Sequence, residues 1–443
     1  MSGRVARLFE SSAFITALRL AGAGAGFCAQ LLLARKLGAA ELGLFYAVTS
    51  LVAVLGLVGA QGYPGVATRF IARYRDRLPL QRRFLRSAIA SAAVGAAILA
   101  GALVAAAFLP LPVSDSLRLG LLMGAACLPF VVAINLAGEI AAAKRRFDIA
   151  YVFESLARPV LFLGAVLALV ASGLAMSGAG VIALFFAITA FVALLQAVFA
   201  RRLVPPGPVA PSAPRLARRW RGEARAAIIV ALFLSAFADV AIVIAAPLMG
   251  KVDTAVFGLC LKLSFLVGFL VQAAHHVAGP EIAEARLLGD AARLRAAVVR
   301  AVMLPAAGTL LATLAALALG GFALSLFGAD FAEGGPVLAI LVAAQAVRAL
   351  AGPSVTMLNL AGAQGRNAAF CVVALVALVL GSLALVPPFG AVGAAAAVLL
   401  AILVWQIAAA IALRRAGEAG TDAISLLLAR RAAGTAASPV TAP

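Results

Sequence analysis

The sequence predicts an all-α, polytopic membrane protein with about twelve transmembrane helices. Its 443 residues are 65% hydrophobic and only 12% charged, whereas a soluble domain must cover its surface with polar groups. The apolar runs approach or exceed eighteen residues, enough for a helix to cross a hydrocarbon core about 30 Å thick. Val and Ile do not alternate with polar residues over ten-residue segments, so helices are favoured over an outer-membrane barrel.

Hydropathy gives the positions of the twelve predicted helices. They cover residues 13–34, 42–63, 87–109, 117–139, 157–176, 180–200, 226–247, 254–277, 299–320, 336–358, 368–387 and 391–413. The first two form a hairpin, because a short polar turn from Arg35 to Glu41 separates them. This hairpin is the unit that the rest of the chain repeats or completes.

The distribution of basic residues predicts the orientation. The chain has 36 Lys and Arg residues and a formal net charge of +19, and most of these residues fall on the side that holds the N-terminus. The opposite side holds Arg35, Lys36, Arg118 and Lys251. Basic loops stay in the cytoplasm, so we expect both termini to be cytoplasmic. The charge then reflects topology and attraction to anionic membrane lipids, and we expect no nucleic-acid partner.

A repeated motif divides the chain into two halves. The segment Pro129–Gly138 (PFVVAINLAG) recurs as Pro353–Gly362 (PSVTMLNLAG), each near the cytoplasmic end of a predicted helix. Six helices per half, each half starting in the cytoplasm, indicate parallel repeats, which are typical of transporters whose site lies between the halves. We therefore predict an N-terminal six-helix bundle over residues 1–202 and a C-terminal six-helix bundle over residues 226–415.

The segments outside the bundles differ in composition from the helices. Residues 203–225 are rich in Pro and Arg and have no apolar period, which predicts an extended cytoplasmic linker. Residues 416–443 form a cytoplasmic tail of small and polar residues, in which Ile424–Arg431 could form one amphipathic helix on the membrane surface.

Four ionised residues lie inside predicted helices, where each needs a partner or a wet cavity. They are Arg19, Asp239, Lys262 and Arg348. Asp239 and Lys262 could form a structural ion pair at one depth, or Asp239 could couple transport to an ion. Arg19 lies close enough to the cytoplasmic edge to reach the headgroups. Arg348 is predicted near mid-membrane, where a guanidinium could hold two phosphate oxygens of an anionic substrate.

Amide side chains at membrane depth are candidates for sugar binding. Gln61 and Gln345 could bind glycan hydroxyls, or they could form hydrogen bonds between helices. We found no catalytic triad, no carboxylate pair in a cleft, no phosphate-binding glycine loop and no metal-ligand spacing outside the bilayer. We therefore expect neither an enzyme nor a cofactor or metal site. Energy could come from a proton or sodium gradient or from the membrane potential.

Short segments along most of the chain follow the order and spacing of one transporter family. They are Ala34–Gly38 with Glu41, Gly43 and Phe45; Arg69; Asp239, Gly250 and Gly258–Leu261; Pro280–Ala283 with Gly289 and Asp290; and Leu326–Gly328 with Phe331. In these segments the chain resembles the polysaccharide flippases of the multidrug/oligosaccharidyl-lipid/polysaccharide exporter superfamily. The resemblance implies two six-helix bundles around a central cationic cavity, with alternating access, in the bacterial inner membrane.

The resemblance also implies a substrate and its binding residues. The substrate would be an undecaprenyl-pyrophosphate-linked oligosaccharide, moved from the cytoplasmic to the periplasmic leaflet. Positive residues in the first and eighth helices of the family match Arg19 and Lys262, and a nearby Asp239 would compete for Lys262. We expect a monomer that works beside a glycan polymerase.

Two other functions stay open from the sequence. A cation-coupled antiporter of small amphipathic molecules would use Asp239 as its proton or sodium site. A membrane glycan polymerase or ligase would need a sizeable periplasmic loop, and the longest predicted one, residues 321–335, is short and poor in ionisable residues.

Overall fold

The computed structural model describes residues 12–110, 114–204, 206–211, 214–360 and 364–415, and the regular structure of these residues is helical. The helices are α1 (Ser12–Leu37), α2 (Ala39–Gly59), α3 (Tyr63–Arg73), α4 (Leu78–Phe108), α5 (Asp115–Ala143), α6 (Phe147–Ala171), α7 (Gly178–Arg201), α8 (Pro214–Leu234), α9 (Phe237–Ala245), α10 (Lys251–Leu287), α11 (Ala291–Ser325), α12 (Gly335–Leu350), α13 (Ser354–Leu360) and α14 (Gln364–Arg415). Two short 3₁₀ segments, Ala246–Leu248 and Ala329–Gly334, join their neighbours.

The number of membrane spans agrees with the hydropathy prediction. Ten helical segments among the described residues are long and apolar enough to cross a membrane, and α8 with α9, bent by 78°, passes the same test as one broken span. Helix α14 consists of two helices that meet at Gly390, where φ is 54° and ψ is −132°. Counting its arms separately brings the described spans to twelve. The prediction of an all-α, polytopic membrane protein is confirmed.

Helix α2 ends earlier than the predicted boundary at Tyr63. Gln61 and Gly62 have φ angles of 51° and 72°, in the left-handed region that no α-helix continues through. The chain therefore turns after Gly59 and restarts as α3, with Pro64 in its first turn. Pro suits this position because the first N–H groups of a helix have no partner within it.

The repeated motif has a different local structure in each half. Pro129 lies inside the continuous helix α5. Its counterpart Pro353 lies between α12 and α13, next to Gly352, which has a φ of 72°. The predicted helix over residues 336–358 is therefore wrong as one continuous helix, because it is interrupted after Leu350. A proline can be accommodated in either way, and its surroundings decide which.

The sequence predicts an extended stretch from residue 203 to residue 225, but part of this stretch is helical. Helix α8 begins at Pro214 and carries Trp220, whose side chain is only 1% exposed. The indole Nε1 of Trp220 donates a hydrogen bond to the Tyr74 hydroxyl at 3.0 Å. The indole also packs edge-on against Phe70 and Phe84. Burial of this aromatic side chain holds α8 against α3 and α4. Residues 206–211 have no regular secondary structure.

The chain divides into two compact units, each with its own core. The first contains Met1–Ala255 and Leu326–Asp330, and the second contains Val256–Ser325 and Phe331–Pro443. Aromatic rings fill one cluster of the first core, whereas aliphatic side chains such as Ile282, Val298 and Leu413 fill one of the second. The longest stretch of the first unit ends at Ala255, and the linker over residues 203–225 and the bundles 1–202 and 226–415 stay predictions. The tail 416–443, with Ile424–Arg431, lies outside the described residues.

Candidate functional site

Asp239 lies at the bend between α8 and α9, in the first turn of α9. The buried Ser50 on α2 donates its hydroxyl hydrogen to Asp239 Oδ1 at 2.8 Å. One turn earlier on α2, the Tyr46 hydroxyl donates to Gln30 Oε1 on α1 at 3.0 Å. The unpaired N–H groups at a helix N-terminus favour a negative charge there. The first unit thus holds a carboxylate that accepts a hydrogen bond from a buried hydroxyl at a helix N-terminus. This arrangement is suited to a proton or a small cation.

Arg19 lies on α1 beside the start of α6. Its guanidinium carbon is 4.8 Å from the centre of the Tyr151 ring, which is within the range of a cation–π contact. Tyr151 precedes a π-helical turn, Val152–Ala157. Helix α1 approaches this turn closely, because a Cβ at Gly22 would overlap the Ser155 carbonyl. A glycine on α1 therefore lets the wider π turn and Arg19 come together.

The surroundings of Arg19 contain charged residues that were not predicted as part of the site. Glu139, near the end of α5, interacts electrostatically with both Arg19 and Glu154. Arg158 Nη2 lies 3.9 Å from Glu154 Oε1, one turn away on α6. Hydropathy started this helix at residue 157 and left Glu154 in a loop, whereas α6 starts at Phe147. Glu154 and Arg158 are four residues apart, a spacing that brings opposite charges together on a helix and so indicates that the helix includes Glu154.

Arg348 lies in the last turn of α12, not in the middle of a continuous helix as predicted. Its Nη1 donates a hydrogen bond to Gln345 Oε1 at 3.1 Å. Gln345 is 1% exposed and lies over α10, where a Cβ on Gly268 would come within 2.8 Å of the same oxygen. The amide therefore positions the guanidinium. The carbonyl groups at a helix C-terminus also favour a cation in this turn.

Gln61 and Lys262 take separate positions. Gln61 lies at the break between α2 and α3, not in a helix, and its Nε2 would be 3.1 Å from a Cβ on Gly95 of α4. Lys262 is half-buried on α10. Asp239 belongs to the first compact unit and Lys262 to the second, so their pairing stays a prediction. Among the predicted site residues, Arg348 and Gln345 form a hydrogen bond with each other. Asp239 forms one with Ser50, which the sequence did not predict as a site residue.

Clusters that could hold a metal are not found in the described part of the chain. There, no group of three or more His, Cys, Asp or Glu residues comes together. Cys28, Cys127, Cys260 and Cys371 all have free thiols.

A family model described as "Polysaccharide biosynthesis protein" matches residues 8–284, more than half of the chain. Among solved structures, the chain is similar to "Lipid II flippase MurJ, inward closed conformation". The TM-score is 0.72 with 11% sequence identity, over 91% of this chain and 88% of that chain. The family model supports the resemblance that the sequence motifs indicated.

Two transporter structures are also similar to the chain. An inward-facing multidrug resistance transporter of the MATE family gives a TM-score of 0.65 with 13% identity, over 91% of this chain and 98% of that chain. A MOP superfamily transporter from Pyrococcus furiosus gives 0.55 with 13% identity, over 94% and 98%. Identities this low show a shared fold alone. No curated protein matches the chain significantly.

Proposed function

The chain belongs to the polysaccharide biosynthesis protein family, and from this we propose that it is a flippase for a lipid-linked oligosaccharide. Its substrate would be a glycan on undecaprenyl pyrophosphate, taken from the cytoplasmic leaflet and released at the periplasmic leaflet. The substrate would cross the membrane through a cationic cavity that opens alternately to each side. The fold it shares with a structure named as a lipid II flippase supports this proposal.

The observation that carries the proposal is the Arg348 guanidinium, held by Gln345 in an otherwise apolar helix. The sequence predicts this arginine within the membrane, where a charged side chain costs about 3 kcal/mol on insertion scales and therefore indicates a function. The pyrophosphate is the part of the substrate that resists entry into a medium of low dielectric. Arg348 would offset part of this cost, because its planar fork can bond two phosphate oxygens at once.

The other predicted site residues would act in sequence with Arg348. Arg19 would collect the headgroup near the cytoplasmic side, and its neighbour Glu139 would keep that attraction weak enough for release. Lys262 would supply a further positive charge. The amides of Gln61 and Gln345 would accept many arrangements of sugar hydroxyls, since an amide can both donate and accept hydrogen bonds.

We further propose the bacterial inner membrane as the location, with both termini in the cytoplasm. A proton or sodium gradient, or the membrane potential, would drive transport without a cofactor and without a catalytic step. The protein would work as a monomer and supply a glycan polymerase on the periplasmic side. Most of the basic residues then face the anionic cytoplasmic leaflet.

Reconstitution tests the proposed function directly. In liposomes that contain the purified protein and a fluorescent polyprenyl-pyrophosphate-linked oligosaccharide, we expect substrate from the inner leaflet to become accessible to an added glycosidase. Liposomes without protein should show only the outer-leaflet fraction. Movement of amphipathic cations without movement of the lipid-linked glycan would contradict the flippase proposal.

A second candidate, the cation-coupled antiporter, is favoured by the hydrogen bond from Ser50 to Asp239. A carboxylate held by a hydroxyl at a helix N-terminus can take up and release a proton or a small cation. In this alternative the ion would enter in exchange for an amphipathic molecule. The fold shared with a multidrug resistance transporter is compatible with it.

Replacing Asp239 with asparagine distinguishes coupling from a structural ion pair. If Asp239 couples transport to an ion, we expect normal yield of folded protein and loss of the dependence on the ion gradient. If it only neutralises Lys262, the unpaired ammonium should destabilise the protein by about 3–5 kcal/mol, and Lys262→Gln should restore the yield. Yield and gradient dependence are measured on both variants, and an unchanged Asp239→Asn protein would contradict both roles.

A further inference from the structure

The first compact unit contains an apolar groove between three helices. Helices α4 and α7 both pack against α5, and a cavity of about 710 Å³ lies between them. Its walls consist mainly of small and aliphatic side chains. Among these are Ile89, Ala93, Ala97, Ala133, Leu136 and Ala197. Such walls suit a hydrocarbon chain, because they offer it contact area without polar groups that would lose their hydrogen bonds.

One end of this groove carries positive charge. Arg86 on α4 and Arg201 on α7 line that end, and both are exposed. Neither forms an ion pair with a described residue. They belong to the basic segments that predict the cytoplasmic side. In the predicted topology, these two arginines lie at the level of the lipid headgroups, at the charged end of the apolar groove.

A third arginine closes the same end. Arg82 donates from Nη1 to the Pro208 carbonyl at 3.1 Å and from Nη2 to the Pro206 carbonyl at 3.2 Å. Pro206, Gly207 and Val209 therefore line the groove as well. Arg82 is occupied by the backbone that it holds, which leaves Arg86 and Arg201 as the cations available to a ligand.

We propose that this groove binds an anionic phospholipid of the cytoplasmic leaflet, with an acyl chain between α4, α5 and α7 and its phosphate on Arg86 and Arg201. The proposal rests on complementarity, because a hydrocarbon chain fits the apolar walls and a phosphate fits guanidinium groups that line the same groove. The lipid is a ligand and not the transported substrate, so the inference goes beyond the proposed function. The bound lipid would also contact residues 206–209, which precede α8 in the chain.

Native mass spectrometry of the purified full-length protein tests the proposal with phosphatidylglycerol and phosphatidylethanolamine as probes. We expect the unchanged protein to retain phosphatidylglycerol in preference to phosphatidylethanolamine. The double variant Arg86→Ala/Arg201→Ala should retain it about tenfold less, since two charge-assisted contacts are lost and each is weakened by the exposure of its arginine to solvent. The matched control Arg73→Ala/Arg75→Ala removes two exposed arginines that do not line the groove, and it should retain as much lipid as the unchanged protein.

A second pair of variants tests the groove itself. Ala97→Phe fills the groove and should reduce phosphatidylglycerol retention to a similar extent. Val94→Phe adds a ring on an exposed position of the same helix outside the groove and should not. Equal retention of the two lipids, or equal loss in test and control variants, would overturn the proposal. Retention of polyprenyl phosphate with exclusion of phosphatidylglycerol would also overturn it and assign the groove to the substrate tail.

Discussion

Arg348→Ala is expected to abolish transport of the lipid-linked glycan while the protein still inserts into the membrane. The variant removes the guanidinium that Gln345 positions at the end of α12. Each charge-assisted hydrogen bond contributes about 1.5–3 kcal/mol, and about 1.4 kcal/mol corresponds to a tenfold change in rate. Loss of a bidentate pair should therefore slow flipping by roughly 100-fold or more.

Arg348→Lys should retain part of the activity, because a lysine keeps the charge and loses the planar fork. Arg366→Ala is the matched control, since Arg366 is an exposed arginine on α14. Surface glycan is measured in cells that lack the native gene, with membrane abundance followed by immunoblot. Full activity of Arg348→Ala at normal abundance would remove the phosphate-binding role and favour the small-molecule antiporter.

The second large effect concerns the fold. Gly62→Ala is expected to lower the stability of the protein by roughly 2–5 kcal/mol, from two causes that add. Gly62 has a φ of 72° at the break between α2 and α3, where a side chain adds backbone strain. A Cβ at this position would also overlap the Ala224 carbonyl of α8, and backbone atoms cannot move aside as a flexible side chain can.

The matched control for this variant is Gly24→Ala. A Cβ at Gly24 on α1 meets no atom within 4 Å, so the same chemical change should be neutral or slightly stabilising through its helix propensity. Thermal unfolding and yield in detergent are compared for the two variants. A Gly62→Ala protein as stable as Gly24→Ala would show that α8 does not pack against the α2–α3 break.

Several features of the protein follow from the sequence because they depend on residues that are neighbours in the chain. A continuous apolar run specifies a membrane helix without reference to any other segment, since a helix satisfies its own backbone hydrogen bonds in lipid. The helical fold class and the number of spans could therefore be predicted. The same reasoning identified Asp239 and Arg348 as functional candidates, because a charge in an apolar run is visible in the sequence itself.

Other features required the tertiary structure because they depend on residues far apart in the chain. Composition predicted an extended linker around Trp220, whereas its contacts with Phe70, Tyr74 and Phe84 make it part of a core. The breaks after Gly59 and Leu350 depend on what packs beside each proline and glycine.

The same holds for the partners of the candidate site residues. Ser50 and Asp239 are separated by 189 positions, and Arg19 meets Tyr151 across two helices. Hydropathy gives the depth of a side chain and not the direction in which it points. The sequence by itself thus determined which segments enter the membrane, and the packing of helix on helix decided which charged and polar groups meet there.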